Sequence, residues 1–115
     1  MLAGLVERAL DEAGYAVDVT PSPEEGRQLA ASGGYDAILL DLELPGRDGP
    51  EVVRALRRGG HETPVVIMTG RDDDVGLVRG LDAGADDYVL KPVGDAVLTA
   101  RLRAAVRRGG APRAD

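Results

Sequence analysis

Cysteine, phenylalanine and tryptophan are all absent from this chain of 115 residues, and its only aromatic residues are three tyrosines. The lack of cysteine excludes disulfides and thiolate metal sites, and it is consistent with a reducing compartment. Because phenylalanine and tryptophan are missing, the core must be built from aliphatic side chains. Hydrophobic residues make up 43% of the chain, so we expect one packed domain rather than a disordered segment.

Long hydrophobic runs and an excess of positive charge are also missing. No segment approaches the roughly 18 consecutive apolar residues of a membrane span, and the N-terminus lacks the basic and then apolar pattern of a signal peptide. We therefore expect a soluble, cytoplasmic protein that makes no membrane contact. The net charge of −6 argues against direct nucleic acid binding by this domain.

Helical and strand patterns alternate along the chain. The predicted helices are 2–13, 23–32, 50–58, 75–83 and 95–107, and the predicted strands are 15–20, 37–41, 64–69 and 87–90. Short apolar strands between helices indicate a parallel sheet that is covered on both faces. Such a sheet usually begins with a strand, whereas this chain begins with a helix. We therefore expect a strand to be missing at the front.

Three predicted strands end in polar residues of different chemistry: Asp41, Thr69 and Lys91. If these strands are parallel neighbours, the three side chains converge on one rim of the sheet, where open α/β sheets bind their ligands. Each residue also has an ordinary structural explanation as a cap, a strand end or a surface charge. The combination is more specific, because a carboxylate, a hydroxyl and an ammonium together could accept, bind and sense a phosphoryl group. Lys91 is also the single lysine among 14 Lys and Arg residues.

Other candidate sites have weaker support. His61 is the only histidine and lies in a polar loop, so a metal site built on it is improbable. The segment Gly46–Gly49 lacks the Gly-Lys-Ser/Thr ending of a P-loop. Ser22 and Ser32 have no histidine partner in the pattern of a hydrolase triad. A small flavodoxin-like enzyme or ligand binder is therefore the weakest of the functional hypotheses.

Three segments carry a family resemblance: 35–46 followed by Asp48-Gly49, then 63–69, and then 80–92. In this order they resemble the response-regulator receiver domain of bacterial two-component signalling. The chain is most similar to the subfamily whose output domain is a winged-helix DNA-binding domain. The resemblance implies a flavodoxin-like, doubly wound parallel sheet of strand order 2-1-3-4-5. It would cover residues 1–108, with 109–115 as a linker or tail.

The resemblance also implies roles for the rim residues in a signalling domain that is not itself an enzyme. Asp41 would accept a phosphoryl group from the phosphohistidine of a sensor histidine kinase. Thr69 would donate a hydrogen bond to one phosphoryl oxygen, and Lys91 would pair with another. Tyr88 would be the ring that turns inward when Thr69 moves toward the phosphate. The Lys91–Pro92 bond would be cis, and the transfer would require Mg²⁺.

The start of the chain departs from this family. Receiver domains begin with a central strand that ends in an acidic pair just before the first helix. Here the first helix begins at about Leu2, so we expect a truncated receiver that lacks both the strand and the pair. Asp41 and Glu43 would then be the remaining metal ligands, and Mg²⁺ binding would be weak. The alternative function is a degenerate, phosphorylation-independent receiver that acts as a protein-interaction module.

The missing strand would also affect packing. It would lie between the predicted strands 15–20 and 37–41, and burying five aliphatic residues there should stabilise the fold by ~10 kcal/mol. That is about the whole net stability of a domain. The chain is then either a truncated gene product or one that closes the gap left by the missing strand. It could close the gap by direct pairing of the two flanking strands, or with a strand from another chain.

A dimer interface is expected on the last helix, the strand before it and the preceding helix. The resemblance places Asp87 and Arg101 there as a charge pair. Relatives usually have an Arg and a Glu where this chain has Leu77 and Val97. Both members of one ion pair are thus replaced by aliphatic residues, and neither charge is left without its partner. We expect a homodimer with an apolar centre. The alternative is that Leu77 and Val97 simply extend the core.

Overall fold

Helices and parallel strands alternate in the computed structural model, which describes residues 2–42, 49–70 and 72–109. The helices are α1 (Leu2–Glu12), α2 (Pro23–Ala31), α3 (Gly49–Arg58), α4 (Asp74–Ala83) and α5 (Asp95–Gly109), and the strands are β1 (Ile38–Asp41), β2 (Val65–Gly70) and β3 (Asp87–Lys91). Each predicted helix is present, with its ends displaced by no more than two residues. The last helix includes Gly109, and the rest of the predicted tail lies outside the described residues.

β2 is the middle strand of a parallel sheet, with β1 on one side and β3 on the other. Asp41 lies opposite Met68, and Lys91 lies opposite Gly70. The carboxyl ends of the three strands therefore reach the same edge of the sheet. This register places Asp41, Thr69 and Lys91 along one rim, as the sequence predicted.

The two faces of the sheet are covered by different helices. An α1/α5 cluster packs on one face and contains Leu10, Val66, Met68, Val89, Leu98, Leu102 and Ala105. An α3/α4 cluster packs on the other face and contains Val53, Val65 and Ile67, with Leu40, Leu77 and Tyr88 partly buried against it. Successive residues of β2 point to opposite faces, which explains why this strand is apolar at nearly every position.

The ends of the helices agree with their sequence signals. Ser22 caps α2, and its side chain accepts a hydrogen bond from the Glu25 N–H at 3.2 Å. Gly84 follows α4 with a φ of 122°, a conformation that favours glycine. None of the helices in the described part of the chain is long and apolar enough to cross a bilayer.

The predicted strand at 15–20 was wrong, because this segment is irregular and joins no sheet. Tyr15 and Val17 still pack against the α1/α5 cluster. Tyr35 donates a hydrogen bond to the Asp18 carboxylate, and this bond raises the pKa of Tyr35 above its ordinary value. A strand needs a neighbour for its backbone groups, and across the described residues β1 pairs only with β2. The gap is therefore not closed by direct pairing of segment 15–20 with β1.

Candidate functional site

Asp41 and Lys91 form an ion pair across the carboxyl end of β2. The Lys91 Nζ donates to both oxygens of the Asp41 carboxylate, at 2.8 and 2.7 Å. The Asp41 side chain is 24% exposed and the Lys91 side chain 16%, so the pair is sheltered but still open to solvent. The following Lys91–Pro92 bond is cis. The ion pair holds an ammonium group directly beside a carboxylate that a small reactant can reach.

Thr69 lies between these residues along the rim, and its side chain is completely buried. Its hydroxyl is hydrogen-bonded to Asp73, with 3.4 Å between Thr69 Oγ1 and Asp73 Oδ2. The other oxygen of Asp73 accepts the N–H of Gly76 at 2.9 Å and so caps α4. Asp73 was not among the site residues predicted from the sequence. The signal available was the run of three aspartates before α4, which indicated only a helix N-terminus.

Tyr88 is the second residue of the predicted switch, together with Thr69. It lies on β3 opposite Ile67, and its side chain is partly buried against the α3/α4 cluster. It also lines a shallow cavity of about 270 Å³ together with Leu90, Val97 and Arg101. The ring therefore lies between the core and the surface formed by β3 and α5.

The predicted metal ligands are placed only in part. Asp41 is at the rim, and Glu43 lies outside the described residues. Among residues 2–42, 49–70 and 72–109, no three His, Cys, Asp or Glu side chains form a cluster that could hold a metal ion. Mg²⁺ prefers an octahedral set of carboxylate and water oxygens. The described residues do not by themselves supply such a set.

The four predicted interface residues do not all face the same way. Arg101 pairs with Asp87 of its own chain, at 3.1 Å between Arg101 Nη1 and Asp87 Oδ2. Val97 is 52% exposed, whereas Leu77 is partly buried against the α3/α4 cluster. Val75 and Val78 of α4 are exposed instead, and neither was predicted to lie at the interface.

The fold and the rim residues together define an α/β domain whose sheet edge presents a carboxylate with an ammonium bound to it. The family described as "Response regulator receiver domain" matches residues 1–103. This chain therefore belongs to the response regulator receiver domain family, and its flavodoxin-like fold class is confirmed. Asp41, Thr69 and Lys91 occupy the rim at which the resemblance placed the phosphoryl chemistry.

Curated relatives and solved structures support this assignment. The uncharacterized transcriptional regulatory protein YkoG of Bacillus subtilis is 45% identical over 109 residues, which are 95% of this chain and 48% of that protein. The transcriptional regulatory protein AfsQ1 of Streptomyces coelicolor is 46% identical over 104 residues, which are 90% of this chain and 46% of that protein. This chain thus spans about half the length of the curated relatives it matches.

A solved receiver domain is also similar in structure. The receiver domain of sensor histidine kinase PA1611 from Pseudomonas aeruginosa PAO1 superposes with a TM-score of 0.82 and 29% identity. The match covers 91% of this chain and 88% of that chain. That structure has a magnesium ion coordinated in its active site cleft.

Proposed function

We propose that Asp41 is the phosphoacceptor of this receiver domain and takes its phosphoryl group from the phosphohistidine of a sensor histidine kinase. The observation that carries this proposal is the bidentate contact of Lys91 with the Asp41 carboxylate. An ammonium at this position can stabilise the negative charge of a phosphoryl group that arrives on Asp41. The domain would act as a signalling switch rather than as an enzyme.

The transfer needs few groups from the protein. One Asp41 oxygen attacks the phosphorus atom, the bond from phosphorus to the histidine nitrogen breaks, and the histidine keeps that electron pair. Because Lys91 contacts both carboxylate oxygens, it must release the attacking oxygen and follow the phosphoryl oxygens. The Thr69 hydroxyl would donate a hydrogen bond to another phosphoryl oxygen, and Tyr88 would turn inward in response.

Mg²⁺ would neutralise charge on the phosphoryl oxygens when it is bound. We propose that the chain of residues 1–115 binds this ion weakly. Asp41 is already engaged by Lys91, and the described residues contain no cluster of three metal-ligating side chains. Glu43 would be the second protein ligand.

The relatives suggest the wider role of the protein. YkoG and AfsQ1 are named as transcriptional regulatory proteins. We therefore propose that this receiver controls a DNA-binding output domain, acts in the cytoplasm and does not itself contact nucleic acid or membrane. We further propose that phosphorylation promotes a homodimer through α4, β3 and α5. The degenerate alternative is less favoured, because the Asp41–Lys91 pair is intact.

The test is phosphorylation of the purified chain with acetyl phosphate and Mg²⁺, followed by intact mass spectrometry. The parent chain should gain the mass of one phosphoryl group, and Asp41→Asn should not. Asp36→Asn is the matched control, since Asp36 is an exposed aspartate just before β1. A parent chain that gains no mass, or an Asp41→Asn variant that still gains it, would overturn the proposal.

A further inference from the structure

We propose that Asp73 is a positioning residue that couples the state of Asp41 to helix α4. It would do so by holding the Thr69 hydroxyl while Asp41 is unphosphorylated and by capping α4 with the same carboxylate. This inference rests on the proposed phosphorylation of Asp41. It adds a residue that connects the rim of the sheet to a surface helix.

The two oxygens of Asp73 serve two different structural elements. Oδ2 lies 3.4 Å from the Thr69 hydroxyl at the end of β2. Oδ1 accepts the Gly76 N–H at 2.9 Å in the first turn of α4. Thr69 is completely buried, so its hydroxyl cannot exchange this partner for bulk water. One carboxylate therefore joins the switch hydroxyl to the helix N-terminus.

Gly76 makes this arrangement possible. A side chain at this position would overlap the Asp73 carboxylate, because an added Cβ would meet both oxygens and the carboxyl carbon at less than contact distance. The carboxylate thus lies over the bare Cα of Gly76. The position of Asp73 is consequently fixed by the backbone of α4 and will respond when that backbone moves.

Competition for one proton provides the coupling. The Thr69 hydroxyl has a single hydrogen to donate. When a phosphoryl group is attached to Asp41, its charged oxygens compete with Asp73 for that hydrogen. If Thr69 turns toward the phosphoryl group, Asp73 loses one of its two partners and keeps only the cap. The first turn of α4 then has a different electrostatic environment in the two states of Asp41.

The variant Asp73→Asn separates this role from simple helix capping. Its amide oxygen can still cap α4 at Gly76, and its amide N–H can donate to the Thr69 oxygen. Such a contact leaves the Thr69 hydrogen free, so the competition is removed while the cap is kept. Asp74→Asn is the matched control, because Asp74 is an exposed carboxylate in the first turn of the same helix.

The experiment records amide NMR spectra of ¹⁵N-labelled chain with and without acetyl phosphate and Mg²⁺, and intact mass reports phosphorylation in parallel. In the parent chain and in Asp74→Asn, the Val75 and Gly76 signals should shift on phosphorylation. In Asp73→Asn, the mass gain should remain while these shifts are lost. A phosphorylated Asp73→Asn chain with the full parental shifts would overturn the inference and leave the proposed function intact.

A second arm does not depend on phosphorylation. Thr69→Val keeps the shape of the side chain and removes the hydroxyl, so it should shift the Gly76 amide signal of the unphosphorylated chain through Asp73. In a chain that already carries Asp73→Ala, adding Thr69→Val should no longer shift the Gly76 amide signal. An unchanged Gly76 signal in Thr69→Val would show that the contact is absent and overturn the inference. A parent chain that gains no phosphoryl mass would instead overturn the proposed function, and with it the coupling.

Discussion

At the scale of single residues, Arg57 joins α3 to the loop before β2 and to the turn before β3. These contacts lie at the end of the sheet opposite to the candidate site. The Arg57 guanidinium donates to the carbonyl of Gly84 at 3.1 and 2.9 Å and to the carbonyls of His61 and Thr63, each at 2.9 Å. It also pairs with Asp86 at 3.0 Å. Arg57 thus fixes the loop before β2 and the turn before β3.

We expect Arg57→Ala to lower the free energy of unfolding by about 2–4 kcal/mol, because the Asp86 carboxylate loses its contact with the guanidinium and three backbone carbonyls lose the guanidinium N–H groups. Arg57→Lys should not restore the loss, since one ammonium cannot span the same acceptors. Arg58→Ala is the control and should cost less than about 0.5 kcal/mol, because the Arg58–Glu51 pair is on the surface. Urea unfolding measures all three variants, and equal effects at positions 57 and 58 would contradict this expectation.

Lys91 should also control metal affinity at the rim. Its ammonium contacts both Asp41 oxygens, so a cation must compete with it for the same carboxylate. We expect weak Mg²⁺ binding by the parent chain and tighter binding by Lys91→Ala, as measured by isothermal titration calorimetry. Asp41→Asn should bind Mg²⁺ less well than either. Tight stoichiometric binding by the parent would refute the expectation and would implicate Glu43 or a partner chain.

The sequence predicted some rim residues but not all of them. Asp41, Thr69 and Lys91 could be predicted because each ends an apolar strand, and parallel strands bring their ends together. Asp73 could not be predicted, because its contact with Thr69 depends on the packing of α4 against β2. Whether Leu77 faces the core or an interface could not be predicted for a similar reason. Its orientation toward the core follows from that packing and not from its hydrophobicity.

At the scale of structural elements, α4 approaches the sheet closely at Gly80. A Cβ at this position would lie 2.7 Å from the Ile67 Cδ1. Ile67 is fully buried in the middle strand, so it has little room to move. Gly80 thus allows α4 to pack closely on the middle strand of the sheet.

We expect Gly80→Ala to lower the free energy of unfolding by about 1 kcal/mol. Overpacking costs roughly 1–3 kcal/mol, and the higher helix propensity of alanine offsets about 1 kcal/mol of that cost. Gly26→Ala in α2 is the matched helical control, since its Cβ would meet only the Thr20 methyl group at 3.3 Å. The control should leave the stability unchanged or raise it. Thermal and urea unfolding measure both variants. If Gly80→Ala gains as much stability as Gly26→Ala, the close packing of α4 on Ile67 is not required.

Helices were predicted more accurately than strands. A helix satisfies its own backbone hydrogen bonds, so apolar periodicity and caps are enough to place it. A strand depends on a neighbour that its own sequence does not specify. Segment 15–20 has the alternating pattern of a half-buried strand, but it has no adjacent strand within the described part of the sheet. Tyr15 and Val17 of this segment nevertheless pack against the α1/α5 cluster.

At the scale of the whole molecule, the proposed dimer surface carries exposed aliphatic side chains on each of its three elements. We define this α4–β3–α5 surface by Val78 of α4, Leu90 of β3 and Val97 of α5. The Asp87–Arg101 ion pair lies on the same surface. Leu77 is turned toward the core, so a charged substitution there would destabilise the monomer and would not be a clean test of dimerisation.

We expect the phosphorylated chain to dimerise through the α4–β3–α5 surface, with an apolar centre that makes the affinity only weakly dependent on salt. Val97→Asp should abolish the dimer in sedimentation velocity while leaving the circular dichroism spectrum of the monomer unchanged. Val19→Asp is the matched control, because Val19 is exposed to a similar extent, 54% against 52%, but lies outside this surface. If Val97→Asp is as dimeric as the parent, or if Val19→Asp disrupts the dimer equally, the interface lies elsewhere. A steep loss of affinity with salt would instead indicate that charged pairs such as Asp87–Arg101 hold the two copies together, because screening weakens exposed ion pairs and leaves apolar contacts intact.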